Sequence, residues 1–111
     1  MVPSARVIEA FRGRCVLVTG GSQGIGLEVA RLLRRCEAHL VLAARDLAKL
    51  ERARQELADI EAGDAALHVL SLDITDRDAV LAATSALPGG REVEVLINNA
   101  GYAAPGHFQE L

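Results

Sequence analysis

The amino-acid sequence predicts an α/β fold built on a parallel sheet, and three observations carry that prediction. Short apolar runs alternate with longer segments of helical periodicity along nearly the whole chain, the pattern of successive strand-helix-strand units. The first run, Val16, Leu17 and Val18, shows no polar alternation, which suits a strand covered on both faces. Glycines at 20, 21, 24 and 26 then separate it from a helical pattern, so that period two becomes period 3.6 across one turn.

Composition narrows the function classes. With 111 residues the chain is one domain at most, and roughly 60 to 68% of its unfolded surface can be buried. Half of it is hydrophobic, far too much for intrinsic disorder, while aromatics contribute only 3%, so the core is expected to be aliphatic. Twelve Lys and Arg against fifteen Asp and Glu give a net charge of −3 without a basic cluster, which argues against a nucleic-acid partner. No eighteen apolar residues run together and the N-terminus lacks a signal-peptide pattern, so this segment is expected to be soluble, cytoplasmic and without membrane contact. Cys15 and Cys36 are too few for a disulfide framework and are expected to be reduced, one of them in the core. With three scattered histidines they offer no metal-ligand spacing.

In chain order, a polar leader reaches to about Arg14 and the first strand follows it. The helix after the glycines places Ile25, Val29, Leu32 and Leu33 at i, i+4, i+7 and i+8, the expected buried stripe. Arg31, Arg34 and Arg35 fall in its last turns, where cations suit the helix dipole and are expected to face solvent. A second strand is predicted over residues 39–44, and Asp46 is placed to cap a helix with Leu47, Leu50, Leu57 and Ile60 or Glu61 on one side, stopping at Gly63. A third strand is predicted over 66–72. Thr75 or Asp76 then caps a helix through Val80, Ala83 and Leu87 that ends at Pro88-Gly89-Gly90. The fourth strand, predicted over 93–97, runs into Asn98-Asn99-Ala100-Gly101, and the last ten residues read as a loop. No internal repeat and no linker interrupts this order.

The glycine turn is a phosphate-binding arrangement, because missing side chains let a ligand reach the first helical N–H groups. Gly21 and Gly26 have the spacing of a nucleotide-hydrolase loop, but Leu27 and Glu28 follow where that loop needs a lysine and a hydroxyl, which disfavours hydrolysis. Thr19-Gly20-x-x-x-Gly24-Ile25-Gly26 together with Asn-Asn-Ala-Gly at 98–101 resembles the short-chain dehydrogenase/reductase family, whose members bind NAD or NADP on a Rossmann fold. The resemblance implies a parallel sheet of order 3-2-1-4 with right-handed crossovers, flanked by helices as an incomplete doubly wound fold. It divides the chain into a leader, 1–13, and an NAD(P)-binding half-domain, 14–111.

The resemblance also implies a site. Thr19, Gly20, Ser22, Gln23, Gly24, Ile25 and Gly26 would hold the cofactor at the turn, and Asn99, Ala100 and Gly101 would steady the central strands and line the adenine side. Read as residues alone, Asn98 and Asn99 could equally be turn formers at a strand end. Asp73 resembles the family's adenine-holding aspartate, the other reading being a turn or cap residue before Thr75. In NAD-binding relatives an acidic side chain ends the second strand, but here Ala44 stands there and Arg45 follows, suited to a 2′-phosphate or else a solvated loop residue. NADP(H) is therefore expected over NAD(H), although Gln23 occupies a loop position where many NADP-binding relatives carry a second basic residue. Cys36-Glu37 likewise stands where the family usually has a glycine.

The family's chemistry uses a serine, a Tyr-x-x-x-Lys pair and a further asparagine, all after the fourth strand. Tyr102 is the only tyrosine and Gly106 lies four residues on, while Ser71 and Ser85 fall in a strand and a helix end, so none has a counterpart here. The expectation is the N-terminal cofactor-binding portion of an oxidoreductase that, when complete, moves hydride between nicotinamide and a carbonyl or alcohol substrate. The portion alone is expected to be inactive. A dinucleotide-binding or interaction module without catalysis, or a non-functional truncated product, are the alternatives. The fourth strand is expected to form an exposed apolar edge.

Overall fold

A computed structural model describes residues 3–20 and 22–99. Four strands, β1 (Cys15–Thr19), β2 (His39–Ala44), β3 (Leu67–Ser71) and β4 (Val95–Asn98), form one parallel sheet of order β3-β2-β1-β4. The helices are α1 (Ala5–Phe11), α2 (Gly24–Arg35), α3 (Leu47–Ala58) and α4 (Arg77–Ser85), with a short 3-10 turn at Pro88–Gly90. This is the Rossmann-like arrangement and the strand order expected from the sequence.

The two central strands are buried along their length, which is why they lack polar alternation. Their side chains separate by parity. Val16, Val18, Leu40 and Leu42 point to the face covered by Ala30 and Leu33 of α2 and Leu50, Ala53 and Leu57 of α3. Cys15, Leu17, Val41 and Ala43 point to the other face, where Leu87, Leu70, Leu72 and Val93 meet them. The register carries the alternation into β4: Val16 pairs with Val95 and Val18 with Ile97, and both partners join the first cluster. Each large aliphatic side chain removed from water there contributes about 1.5–3 kcal/mol. Both cysteines are buried and free, and burial pushes both thiols up from their ordinary values.

Several local expectations are corrected. The leader contains a helix: the Ser4 hydroxyl accepts from Val7 N–H at 3.3 Å to start α1, and Phe11 packs against the first cluster. The buried side of α2 is Gly26, Ala30, Leu33 and Arg34, while Ile25 is 74% exposed, because the helix approaches the sheet on its small residues. Leu32 lines a groove of about 760 Å³ along α2, and Val29 borders the same groove while packing half-buried against the first cluster. Arg34 does not face solvent. It is 9% exposed, its Nε donating to the Leu57 carbonyl at 3.1 Å and its Nη1 to the Ala65 carbonyl at 2.9 Å, so it ties the end of α3 and the entry to β3 onto α2. Helix α3 ends at Ala58 rather than running to Gly63, and Leu47 is exposed. Strand β4 spans Val95–Asn98, two residues later than its predicted start.

At the end of α2, Glu37 takes the left-handed position with φ 61°. Its N–H donates to the Arg34 carbonyl at 3.0 Å and the Ala38 N–H to the Leu33 carbonyl at 3.2 Å, the Schellman closure that glycine usually makes. The missing family glycine therefore changes the cost of the turn and leaves its geometry intact. Among the described residues no helix is long and apolar enough to cross a membrane.

Candidate functional site

The carboxyl ends of β1 and β4 carry the two sequence motifs side by side. The Thr19 hydroxyl joins them: it donates to Asn98 Oδ1 at 2.9 Å and accepts from the Asn99 N–H at 3.0 Å. Thr19 itself is 6% exposed, so it serves as an internal brace beneath the turn. Gly20 continues the strand ladder, its N–H donating to the Ala43 carbonyl at 2.8 Å, before the chain turns toward α2.

Two glycines are required by geometry. Gly24 has φ +60°, a conformation that side chains disfavour, at the first residue of α2. Gly26 is held by close approach: a Cβ there would collide with the Gly20 carbonyl oxygen and lie 2.8 Å from Asn99 Nδ2. The helix can therefore start directly over the strand end only because residue 26 lacks a side chain.

The start of α2 differs from the other helix starts. Ser4, Asp46 and Asp76 each cap a helix through a side-chain oxygen, whereas Gln23 caps α2 with no side-chain hydrogen bond and no acidic residue lies in its first turn. Uncapped N–H groups and the positive end of the helix dipole together favour an anion. They open on a cleft of about 440 Å³ whose lining includes Gly20, Ser22, Gln23, Gly24, Lys49 and Asn99. Ile25 stands at its rim, also lining it.

The remaining candidates are placed differently. Arg45 is exposed; its carbonyl accepts from the Ser71 hydroxyl at 3.1 Å, and its charge acts on Asp73. Asp73 Oδ1 accepts from the Thr75 hydroxyl at 2.6 Å and the Thr75 N–H at 2.9 Å. Those two bonds, with Arg45 adding to them, hold its carboxyl below the usual range. One carboxylate oxygen thus makes the turn that the sequence left as its other reading. Ala100 and Gly101 lie outside the described residues, as do Gly21 and Tyr102. Sequence reasoning missed Lys49 at the cleft; its place in the first turn of the helix that Asp46 caps, directly after the second strand, was the available signal.

A family model described as short chain dehydrogenase matches residues 14–111. Galactitol 2-dehydrogenase (L-tagatose-forming) from Cereibacter sphaeroides is 38% identical over 98 residues, which cover 88% of this chain and 37% of that protein. Sulfoacetaldehyde reductase from Chromohalobacter salexigens is 40% identical over 90 residues, covering 80% of this chain and 34% of that one. Among solved structures, L-sorbose reductase from Gluconobacter frateurii complexed with NADPH and L-sorbose superposes with a TM-score of 0.71 at 31% identity, over 85% of this chain and 35% of that one. A metagenomic short-chain oxidoreductase in complex with NADP has a TM-score of 0.71 at 36% identity, over 84% and 41%. The chain spans about a third of the length of these relatives.

Proposed function

The chain belongs to the short-chain dehydrogenase/reductase family, and on that premise we propose that it is the NADP(H)-binding portion of an oxidoreductase acting on a carbonyl or alcohol. The observation that carries the reading is the uncapped start of α2, packed through Gly26 against Gly20 and Asn99 and opening on a cleft at the carboxyl ends of the strands. Such a cradle accommodates a diphosphate: the backbone of Ser22, Gln23, Gly24 and Ile25 would face it, with Thr19, Gly20 and Gly26 shaping the turn. Asn99, Ala100, Gly101 and Asp73 would border the adenosine. Arg45, which follows Ala44 at the end of β2, would meet the 2′-phosphate. When bound, the nicotinamide supplies hydride chemistry. No serine and Tyr-x-x-x-Lys set occurs within these 111 residues, so the chain by itself holds the cofactor without turnover.

Titration with NADPH and NADH, followed by nicotinamide fluorescence, tests the reading. NADPH is expected to bind about tenfold more tightly, and Arg45→Ala to abolish most of that difference. Equal affinities in the wild type would defeat the NADP assignment. Absence of binding by either dinucleotide would defeat the cofactor reading as a whole.

A further inference from the structure

We propose that Lys49 supplies a second positive charge to the 2′-phosphate of NADP(H), reaching it from α3 across the glycine turn; the inference rests on the cofactor reading above. Lys49 lines two neighbouring clefts at once. One is the cofactor cleft, shared with Gly20, Ser22, Gln23 and Asn99; the other, of about 240 Å³, shares Ser22 and Gln23 with it and also includes Arg52 and Glu56, the latter paired with Arg31. Lys49 therefore sits where the two clefts meet, opposite the turn, whereas Arg45 lines neither and has Asp73 as a competitor for its charge.

The charge balance points the same way. A phosphate monoester carries about −1.5 to −2 at neutral pH, more than one guanidinium neutralises. Asp46 adds a carboxylate to the same cleft; its Oδ1 accepts from the Lys49 N–H at 3.1 Å to cap α3, which holds the acid in place. An anion entering beside that carboxylate needs a compensating cation. No carboxylate lies within ion-pair distance of the Lys49 ammonium among the described residues, while Arg31 and Arg54 are each paired with glutamates. Gln23, neutral and at the helix start, supplies dipoles only.

The test compares NADPH, NADH and 2′,5′-ADP binding to the full chain as wild type, Lys49→Gln, Lys49→Arg and Arg45→Ala. Lys49→Gln is expected to weaken NADPH and 2′,5′-ADP by about tenfold and leave NADH within about twofold, with Lys49→Arg close to wild type. Retained NADH affinity also reports that the variant folds. If wild type prefers NADPH and Lys49→Gln keeps that preference, or loses NADH equally, the Lys49 proposal fails and the cofactor reading stands. If wild type binds both dinucleotides without preference, the Lys49 proposal and the NADP assignment fail together; if it binds neither, the cofactor reading fails as well.

Discussion

The Thr19 hydroxyl lies 2.9 Å from Asn98 Oδ1 and donates to it, bridging the ends of β1 and β4 beneath the glycine turn. The same oxygen accepts from the Asn99 N–H, so one nearly buried group satisfies a side chain and a backbone donor on the neighbouring strand.

Thr19→Val keeps the shape and removes the hydroxyl's bonds, including a longer one to the Ile97 carbonyl at 3.4 Å, leaving the Asn99 N–H and the Asn98 amide to find other partners. A loss of about 1–3 kcal/mol is expected, read as a lowered urea midpoint at unchanged slope. A midpoint equal to wild type would show that water replaces the hydroxyl without cost.

Gly26→Ala inserts a methyl group against the Gly20 carbonyl and Asn99 Nδ2. Both neighbours belong to the cleft, and backbone cannot swing aside as a flexible side chain would. The variant is expected to lose about 1–3 kcal/mol of stability and to bind dinucleotide at least about tenfold more weakly. Gly24→Ala, which meets no atom within 4 Å but has φ +60°, should lose stability through backbone strain instead.

Glu37→Gly should stabilise the chain. Relief of a left-handed non-glycine residue is worth about 1–2 kcal/mol, reduced by the entropy glycine adds to the unfolded chain and by loss of the exposed Arg12 pair at 3.7 Å. A net gain of about 0.5 kcal/mol is expected from thermal or urea unfolding, and a decrease would contradict it.

His39 ties the edge strand to the sheet in a pH-dependent way. Its Nδ1 accepts from the Ala66 N–H at 2.9 Å, which demands the neutral ring. Burial pushes its pKa below 6.5, Arg91 adding to that, with Glu94 acting against it and His68 with it. A lowered folded-state value means that the contribution is complete above about pH 6.5 and is lost as pH falls through the folded value. Urea midpoints between pH 8 and 5 should fall in the wild type and fall less in His39→Asn, whose amide oxygen can accept from the same N–H. Parallel curves would remove His39 from the account.

Leu96 is 41% exposed on β4, which pairs only with β1 among the described residues. An apolar edge of this kind invites association. The 111-residue chain produced alone should associate with rising concentration in sedimentation experiments, and Leu96→Lys should reduce it. A wild type that stays monomeric throughout would oppose this.

Much of this molecule was legible in the sequence because its signals are local. Uninterrupted apolar runs marked the strands, glycine spacing marked the turn, and Asp46 and Asp76 marked helix starts through side-chain oxygens that each reach only three residues ahead. The paired motifs at 19–26 and 98–101 indicated the family, and parallel strands joined by helices left few possible orders. What remained hidden depends on distance in three dimensions. Ile25 has the periodicity of a buried stripe, yet it is exposed, because Gly26 and Ala30 let the neighbouring side of α2 come close to the sheet. Arg34 looks like a surface cation until the Leu57 and Ala65 carbonyls arrive from elsewhere in the chain to receive it. Lys49 likewise belongs to the cleft only after α3 has packed beside α2. Sequence alone determined the fold class, the strand order and the family; tertiary packing decided which face is buried, which arginine is interior and which cation faces the turn, since each depends on partners that no local pattern records.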